Sequence, residues 1–180
     1  MKARLKDEKQ VLEKLTQLGC VFSEVKTQDD MVWAERAATL EEFLGNSVFL
    51  RIRIQNGSKV VLTAKKSKTK SGDGSLIKRE HEVVVDSAEE ARGILDMLGL
   101  TEVVRVVKKR RTTKYKEYEI CVDEIENLGA FIEVERISGE EDAERIQQEM
   151  TDFLLSLGVS PEDKVSKGYD ILMLEKQELK

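Results

Sequence analysis

The sequence predicts a mixed α+β fold built on about eight antiparallel strands with a few helices. Three observations carry that expectation. Stretches such as "FLRIRIQNGSKVVLTAKK" (49–66) alternate apolar and polar residues with period two, as strands do when successive side chains take opposite faces. Three apolar stripes at helical spacing each close on Leu-Gly, at 18–19, 98–99 and 157–158. A chain of 180 residues is also long enough to bury a real core as one domain, 1–180, without staples.

Taken in order, the first helix is expected in "DEKQVLEKLTQLG". Asp7 can cap it, Val11, Leu12, Leu15 and Leu18 share a face, and Gly19 suits the left-handed end. Strands follow at Val21–Val25 and Val32–Glu35, then a short helix in "TLEEFLG" (39–45). Val48–Ile54 and Lys59–Lys65 read as a hairpin across Gln55-Asn56-Gly57. The 66–78 stretch is a hairpin tip by composition, and Arg79–Val85 is the next strand. Ser87 and Glu90 have capping-box spacing before a stripe of Ala91, Ile94, Leu95 and Leu98 ending at Gly99. Strands are expected at Val103–Thr113, Tyr118–Val122 and Ala130–Ile137. Ala143, Ile146, Met150, Phe153, Leu154 and Leu157 form the third stripe, and a last helix falls around Asp170–Gln177. The first two helices sit about 80 residues apart, which suggests a duplication: a helix and about four strands, twice.

Bulk composition narrows the function. A net charge of −5 argues against a general binder of nucleic acid or membrane surface, so any cationic site must be local. Cys20 and Cys121 have no metal-ligand spacing and are too few for a disulfide scaffold, which makes a reducing cytoplasm the expected location. Neither a signal peptide nor an apolar run of the roughly 20 residues that a membrane helix needs is visible.

The strand faces are the informative part. Leu50, Ile52 and Ile54 oppose Phe49, Arg51 and Arg53. Val60 and Leu62 oppose Lys59, Val61, Thr63 and Lys65, and Ile132 and Val134 oppose Glu133 and Glu135. Ile120 and Val122 oppose Cys121 and Asp123, Val83 and Val85 oppose Glu80 and Glu82, and Val104 and Val106 lead into Lys108 and Arg110. One alternative is a two-layer sheet with a solvated polar face, whose cross-strand ion pairs contribute a few tenths of a kcal/mol each. Segregation of the charges by sign, and arginine at two successive positions of one face, point instead to an anion. Five or six cations facing one another off water make sense only around a highly charged one. A triphosphate fits, with Mg²⁺ or Mn²⁺ held by carboxylates and substrate phosphates.

The run of Arg51-x-Arg53, Thr63-x-Lys65, Arg79-Glu80-x-Glu82, Lys108-x-Arg110, "VDEIENLGAFIEVE" and "KGYDILML" resembles the CYTH superfamily, or triphosphate tunnel metalloenzymes. The match is in order and spans almost the whole chain; "DEIENLGAFIEVE" is its most specific part. The resemblance implies a closed antiparallel eight-stranded barrel, the tunnel, flanked by helices. It implies that Arg51, Arg53, Lys65, Lys108 and Arg110 grip phosphates, with Lys167 as a late lysine. Asp123, Glu133 and Glu135 would hold the divalent cations with Glu80 nearby, and Lys2 matches the lysine that the family carries on its first strand. In "KKRR", Lys109 and Arg111 offer a second register; counting from "LGLTEVV" favours Lys108 and Arg110.

One departure is serious: the family's Glu-x-Glu before that lysine is missing from "MKARL". Either the chain starts late or the glutamates are truly lost, which would put metal affinity and turnover in doubt. Members include class IV adenylate cyclases and inorganic, thiamine and RNA triphosphatases. The expected activity is therefore metal-dependent hydrolysis of a triphosphate-bearing small molecule. The alternatives are cyclic AMP formation from ATP and a non-catalytic triphosphate binder. Exposed strand edges at a shortened first strand would favour a homodimer. His81 reads as a packing or rim residue, Trp33 and Phe43 as core or tunnel-mouth residues, and Cys121 as a small filler; lysines 65–70 suit a hairpin tip or a lid.

Overall fold

The computed structural model describes residues 1–35, 48–67, 78–136 and 143–178. The chain is α+β, with an eight-stranded antiparallel sheet and, among the described residues, four α-helices. The strands are β1 (Lys2–Arg4), β2 (Lys26–Glu35), β3 (Val48–Gln55), β4 (Lys59–Ser67), β5 (Lys78–Val85), β6 (Leu100–Tyr115), β7 (Tyr118–Ile125) and β8 (Gly129–Glu135). The helices are α1 (Glu8–Gln17), α2 (Ala88–Met97), α3 (Ala143–Ser156) and α4 (Tyr169–Glu178). The order strand, helix, three strands occurs twice, as β1-α1-β2-β3-β4 and then β5-α2-β6-β7-β8. That is the expected duplication, framed one strand earlier. Both helices open on the predicted cap: Asp7 Oδ1 accepts from the Gln10 amide at 2.9 Å, and Ser87 Oγ from the Glu90 amide at 3.1 Å. Both close on a left-handed glycine, Gly19 at φ +82° and Gly99 at φ +79°.

The chain forms two compact units. The first, Met1–Lys26 with Lys108–Lys167, holds the ladder run β1-β8-β7 and β6 from Lys108 onward. Its core gathers Val11 and Leu15 of α1, Ile120 and Val122 of β7, Ile132 and Val134 of β8, and Ile146, Met150 and Leu154 of α3. The second, Thr27–Val107 with Gly168–Lys180, holds the run β2-β3-β4-β5. Its core is Met31, Trp33, Ile52 and Val60 against Ala91 and Leu95 of α2, which makes Trp33 a core residue. Among the described residues the ladders of these runs end at β1 and β5, so backbone hydrogen bonds do not make the closure expected of a barrel.

Several boundaries differ from expectation. Residues 21–25 are not a strand, although Ser23 donates its backbone amide to the Thr112 carbonyl at 2.8 Å. Val21 and Val25 are exposed and only Phe22 packs against the core, so little burial rewards continuous pairing there. The ladder begins instead at Lys26 and runs to Glu35. β1 was expected only through the resemblance, as a shortened first strand carrying Lys2; three residues carry too little periodicity to read from the pattern. Its outer edge is not bare, because the Val165 amide donates to the Lys2 carbonyl at 2.9 Å and Ala3 bridges Lys164. The reason given for a homodimer therefore falls away. The expected helix at 39–45, Phe43 and most of the 66–78 tip lie outside the described residues. None of the described helices is long and apolar enough to cross a membrane.

Replacing Leu15 of α1, fully buried, with Ala is expected to destabilise the protein by about 2–5 kcal/mol in urea unfolding. Met97→Ala, 90% exposed, is expected to change it by less than about 0.5 kcal/mol.

Candidate functional site

Register decides which side chains meet, because residues directly opposite in neighbouring strands share a face. In the second unit Asp30 stands opposite Arg53, Arg51 opposite Thr63, Thr63 opposite Glu82, and Lys65 opposite Glu80. Period two in β3 and β4 puts all of these opposite the Ile52–Val60 core. Arg53 donates from Nε and NH2 to Asp30 Oδ1 and Oδ2 at 2.6 and 2.7 Å, a bidentate fork. Arg51 NH2 donates to Thr63 Oγ1 at 3.1 Å and Glu82 Oε1 at 3.0 Å, and Lys65 Nζ to Glu80 Oε1 at 2.6 Å. Solvation separates the signs: the Arg51, Arg53 and Lys65 side chains are 13%, 16% and 15% exposed, whereas Glu82 is 53% and Glu80 35% exposed. Burial and, next, the neighbouring Arg53 charge lower the Arg51 pKa, with the carboxylates opposing. This face therefore carries cations drawn off water, one of them matched by the equally buried Asp30 and the others set against acids that remain partly in water.

In the first unit one row runs Lys2, Glu133, Cys121, Thr112 and the next Phe131, Asp123, Arg110. Arg110 donates from Nε to Asp123 Oδ1 at 2.6 Å, and from NH2 to Asp123 Oδ2 and Glu133 Oε2, both at 2.5 Å. Lys2 Nζ lies 3.1 Å from Glu133 Oε1, and Lys108 Nζ 3.8 Å from Asp123 Oδ2. Asp123 is fully buried and Lys108 is 4% exposed. A charge without water needs such partners, since the effective desolvation penalty is several kcal/mol per ion. Burial alone would raise the Glu133 pKa, but Lys2, Arg110 and Lys108 hold it down at about 2. Burial likewise works against the Arg110 charge, and the Asp123 hydrogen bond outweighs it, so the guanidinium pKa rises. Burial raises the Cys121 thiol, which leaves it a poor nucleophile.

The remaining expected residues fall as follows. Glu135 shares the Glu133 face by period but is exposed, opposite Glu119. Lys167 is exposed, and its backbone carbonyl accepts from Lys2 Nζ at 3.2 Å. Lys109 pairs with exposed Glu124, and Arg111 stands opposite Val122, so neither shares the Asp123 face. His81 is exposed. Among the described residues no group of three or more His, Cys, Asp or Glu gathers as a metal cluster. Arg51, Arg53, Lys65, Lys108, Arg110 and Asp123 are less exposed than a solvated sheet face would leave them, whereas Glu80 and Glu82 remain partly in water.

A family model described as the CYTH domain matches residues 1–169. The chain belongs to the CYTH-domain family. A protein of Methanocaldococcus jannaschii named "putative adenylate cyclase" is 31% identical over 170 residues, covering 94% of each chain. The solved structure of a Pyrococcus horikoshii OT3 protein is similar with a TM-score of 0.78 and 27% identity, covering 97% of each chain. Another, titled a "putative adenylate cyclase" from Vibrio parahaemolyticus, has a TM-score of 0.74 at 18% identity over 96% of this chain and 95% of that one, and shows the fold alone. This CYTH domain belongs to a generally metal-dependent family.

Asp30, the fork for Arg53, was missed by sequence reasoning. Reading the period of two backwards from Val32 would have put Gln28 and Asp30 on its face, opposite Met31 and Trp33.

Because the Glu133 pKa is depressed in the fold, the stability it contributes is present above its ordinary value of 4.5 and is lost as pH falls towards about 2. Urea unfolding from about pH 6 to about pH 3 is expected to fall more steeply for the wild type than for Glu133→Gln. Parallel curves would refute the assignment.

Proposed function

We propose that this CYTH domain binds a triphosphate-bearing compound with its cationic strand faces and, with a divalent metal, cleaves it at a phosphoanhydride bond. The observation that carries the reading is the withdrawal of Arg51 and Lys65 from water beside Glu82 and Glu80, which stay partly solvated, with Arg53 on the same face. Phosphate oxygens entering that face replace Glu80 and Glu82 as acceptors; Glu82 returns to water at little cost, and Glu80 is released for the metal. Each charge-assisted hydrogen bond gained contributes roughly 1.5–3 kcal/mol.

In this reading Arg51, Arg53, Lys65, Lys108, Arg110 and Lys167 orient the phosphates, and Lys2 balances charge at the phosphorus under attack. The donors available to a metal are carboxylate oxygens, Asp123 and Glu133 meeting at one guanidinium NH2, with Glu135 next along the face. Hard oxygens from one or two carboxylates plus substrate phosphates are what Mg²⁺ and Mn²⁺ take, so the donor chemistry fits, and the Arg110 and Lys2 contacts that hold these oxygens would give way to a bound metal. Glu80, ion-paired to Lys65, is the carboxylate of the other face in the proposed set. When bound, the metal supplies Lewis-acid neutralisation of the phosphates. The chain's own residues then act by positioning: water attacks phosphorus, the bond to the leaving phosphate oxygen breaks, and the nearby ammonium and guanidinium groups stabilise the charge left on it.

A second reading is favoured by the name of the 31% identical relative. There the ribose 3′-hydroxyl attacks the α-phosphorus and pyrophosphate leaves, giving cyclic AMP.

Incubation with tripolyphosphate, ATP and thiamine triphosphate in Mg²⁺ or Mn²⁺ is expected to release orthophosphate. Cyclic AMP with pyrophosphate would establish the second reading, and calorimetric binding without product a binder alone. Neither product nor binding would end all three. Arg51→Ala is expected to lower kcat/KM by about 10²-fold. Its removal strands no buried carboxylate, since Glu82 is 53% exposed and Asp30 keeps the Arg53 fork, so the thermal midpoint should move little.

A further inference from the structure

On the face of the second unit that carries Arg51 and Arg53, the next rung along pairs Gln28 of β2 with Gln55 of β3. Three successive rungs therefore read Val32 with Arg51, Asp30 with Arg53, and Gln28 with Gln55. Rungs on one face lie about 6.5–7 Å apart, two residues of strand rise. Gln28 is only 5% exposed, and its Nε2 donates to Gln55 Oε1 at 3.5 Å. That contact turns the amide carbonyl outward from the pair. Among the described residues Gln28 Oε1 is buried with no hydrogen-bond partner, and so is Arg51 Nε two rungs away. A buried amide oxygen left unmet costs about 1–3 kcal/mol, so each such group calls for an explanation.

The two orphans ask for opposite things. Arg51 Nε is a donor, and a phosphate oxygen meets it. Gln28 Oε1 is an acceptor, and an ionised triphosphate, which has only acceptors, cannot. From this we infer that Gln28 is a specificity-determining residue: its carbonyl accepts a hydrogen bond from an N–H or O–H of the nucleoside part of a nucleoside triphosphate. The phosphates lie at the Arg51 and Arg53 rungs, and one further rung of about 7 Å runs from the α-phosphate into the nucleoside, the sugar hydroxyls first and the base amine beyond them. The inference rests on the triphosphate reading above and deepens it by favouring base-bearing substrates over tripolyphosphate.

The test is titration calorimetry of the full chain in Mg²⁺ with tripolyphosphate, ATP, 2′-deoxy-ATP and inosine triphosphate. For the wild type, ATP is expected to bind more tightly than tripolyphosphate. In Gln28→Leu, which keeps the bulk and removes the amide, the Kd for ATP relative to that for tripolyphosphate is expected to rise about tenfold. On the wild type, a similar loss with 2′-deoxy-ATP assigns the donor to the sugar, and with inosine triphosphate to the base amine. Gln55→Leu, which lacks the orphan atom, provides a second variant with a smaller expected rise, should Gln28→Leu fold poorly. Equal changes for ATP and tripolyphosphate, or none, would overturn the inference, since a structural role or a bound water predicts no discrimination. Wild type binding tripolyphosphate but not ATP would overturn it while leaving the triphosphate reading intact; binding of neither would overturn both.

Discussion

The constraint on which the rest depends is that charge taken off water on a strand face must be answered by opposite charge across the ladder. The Arg110 fork on Asp123 and the Arg53 fork on Asp30 meet that demand with paired short hydrogen bonds, the geometry in which guanidinium and carboxylate match best. It also fixes register. β7 is buried on both sides, with Ile120 and Val122 in the apolar core and Cys121 and Asp123 on the charged face. A slip of one residue would drive Asp123 into the hydrocarbon and Val122 against Arg110. Two incompatible environments on one strand make the alignment close to all-or-none.

Most of the architecture was legible because local rules agreed. The cap at Asp7 or Ser87, the apolar stripe and the terminal glycine mark each helix three times over, and such redundancy is what makes a boundary readable. The alternation in β3 and β4 was equally clear because one face of that hairpin is apolar and the other ionic. Legibility failed where a strand is buried on both faces. β2 shows Met31, Val32, Trp33 and Ala34 all buried, so period two vanishes and its early residues, Gln28 and Asp30 among them, look like a loop. It failed again at Val21–Val25, where β-branched composition suggested a strand but both valines are exposed and Phe22 alone packs inward.

The candidate site was legible as a set of residue types and only partly as geometry. Alternation placed Arg51, Arg53 and Lys65 on one face, but partners are set by cross-strand register, which a single sequence does not encode locally. Hence Glu80 was expected with a metal and stands against Lys65, while Asp30 went unnoticed beside Arg53. Lys2 illustrates the same limit. Three residues of β1 carry no pattern of their own, and only pairing with β8 brings Lys2 opposite Glu133.

The repeated strand, helix, three-strand order gives each unit its own ionic face, yet the two differ in how their charge is balanced. In the first, Glu133 is surrounded by Lys2, Lys108 and Arg110 and its pKa falls to about 2. A carboxylate so strongly held ionised keeps its oxygens available to a cation at any physiological pH, because protons cannot compete for them. In the second, Arg51 lies beside Arg53, its pKa is lowered, and its Nε meets no acceptor among the described residues. A cation in that position is stabilised by whatever anion arrives. One duplicated frame thus yields two ionic faces balanced in opposite ways: the first surrounds its carboxylate with cations, and the second leaves a buried guanidinium nitrogen without an acceptor among the described residues.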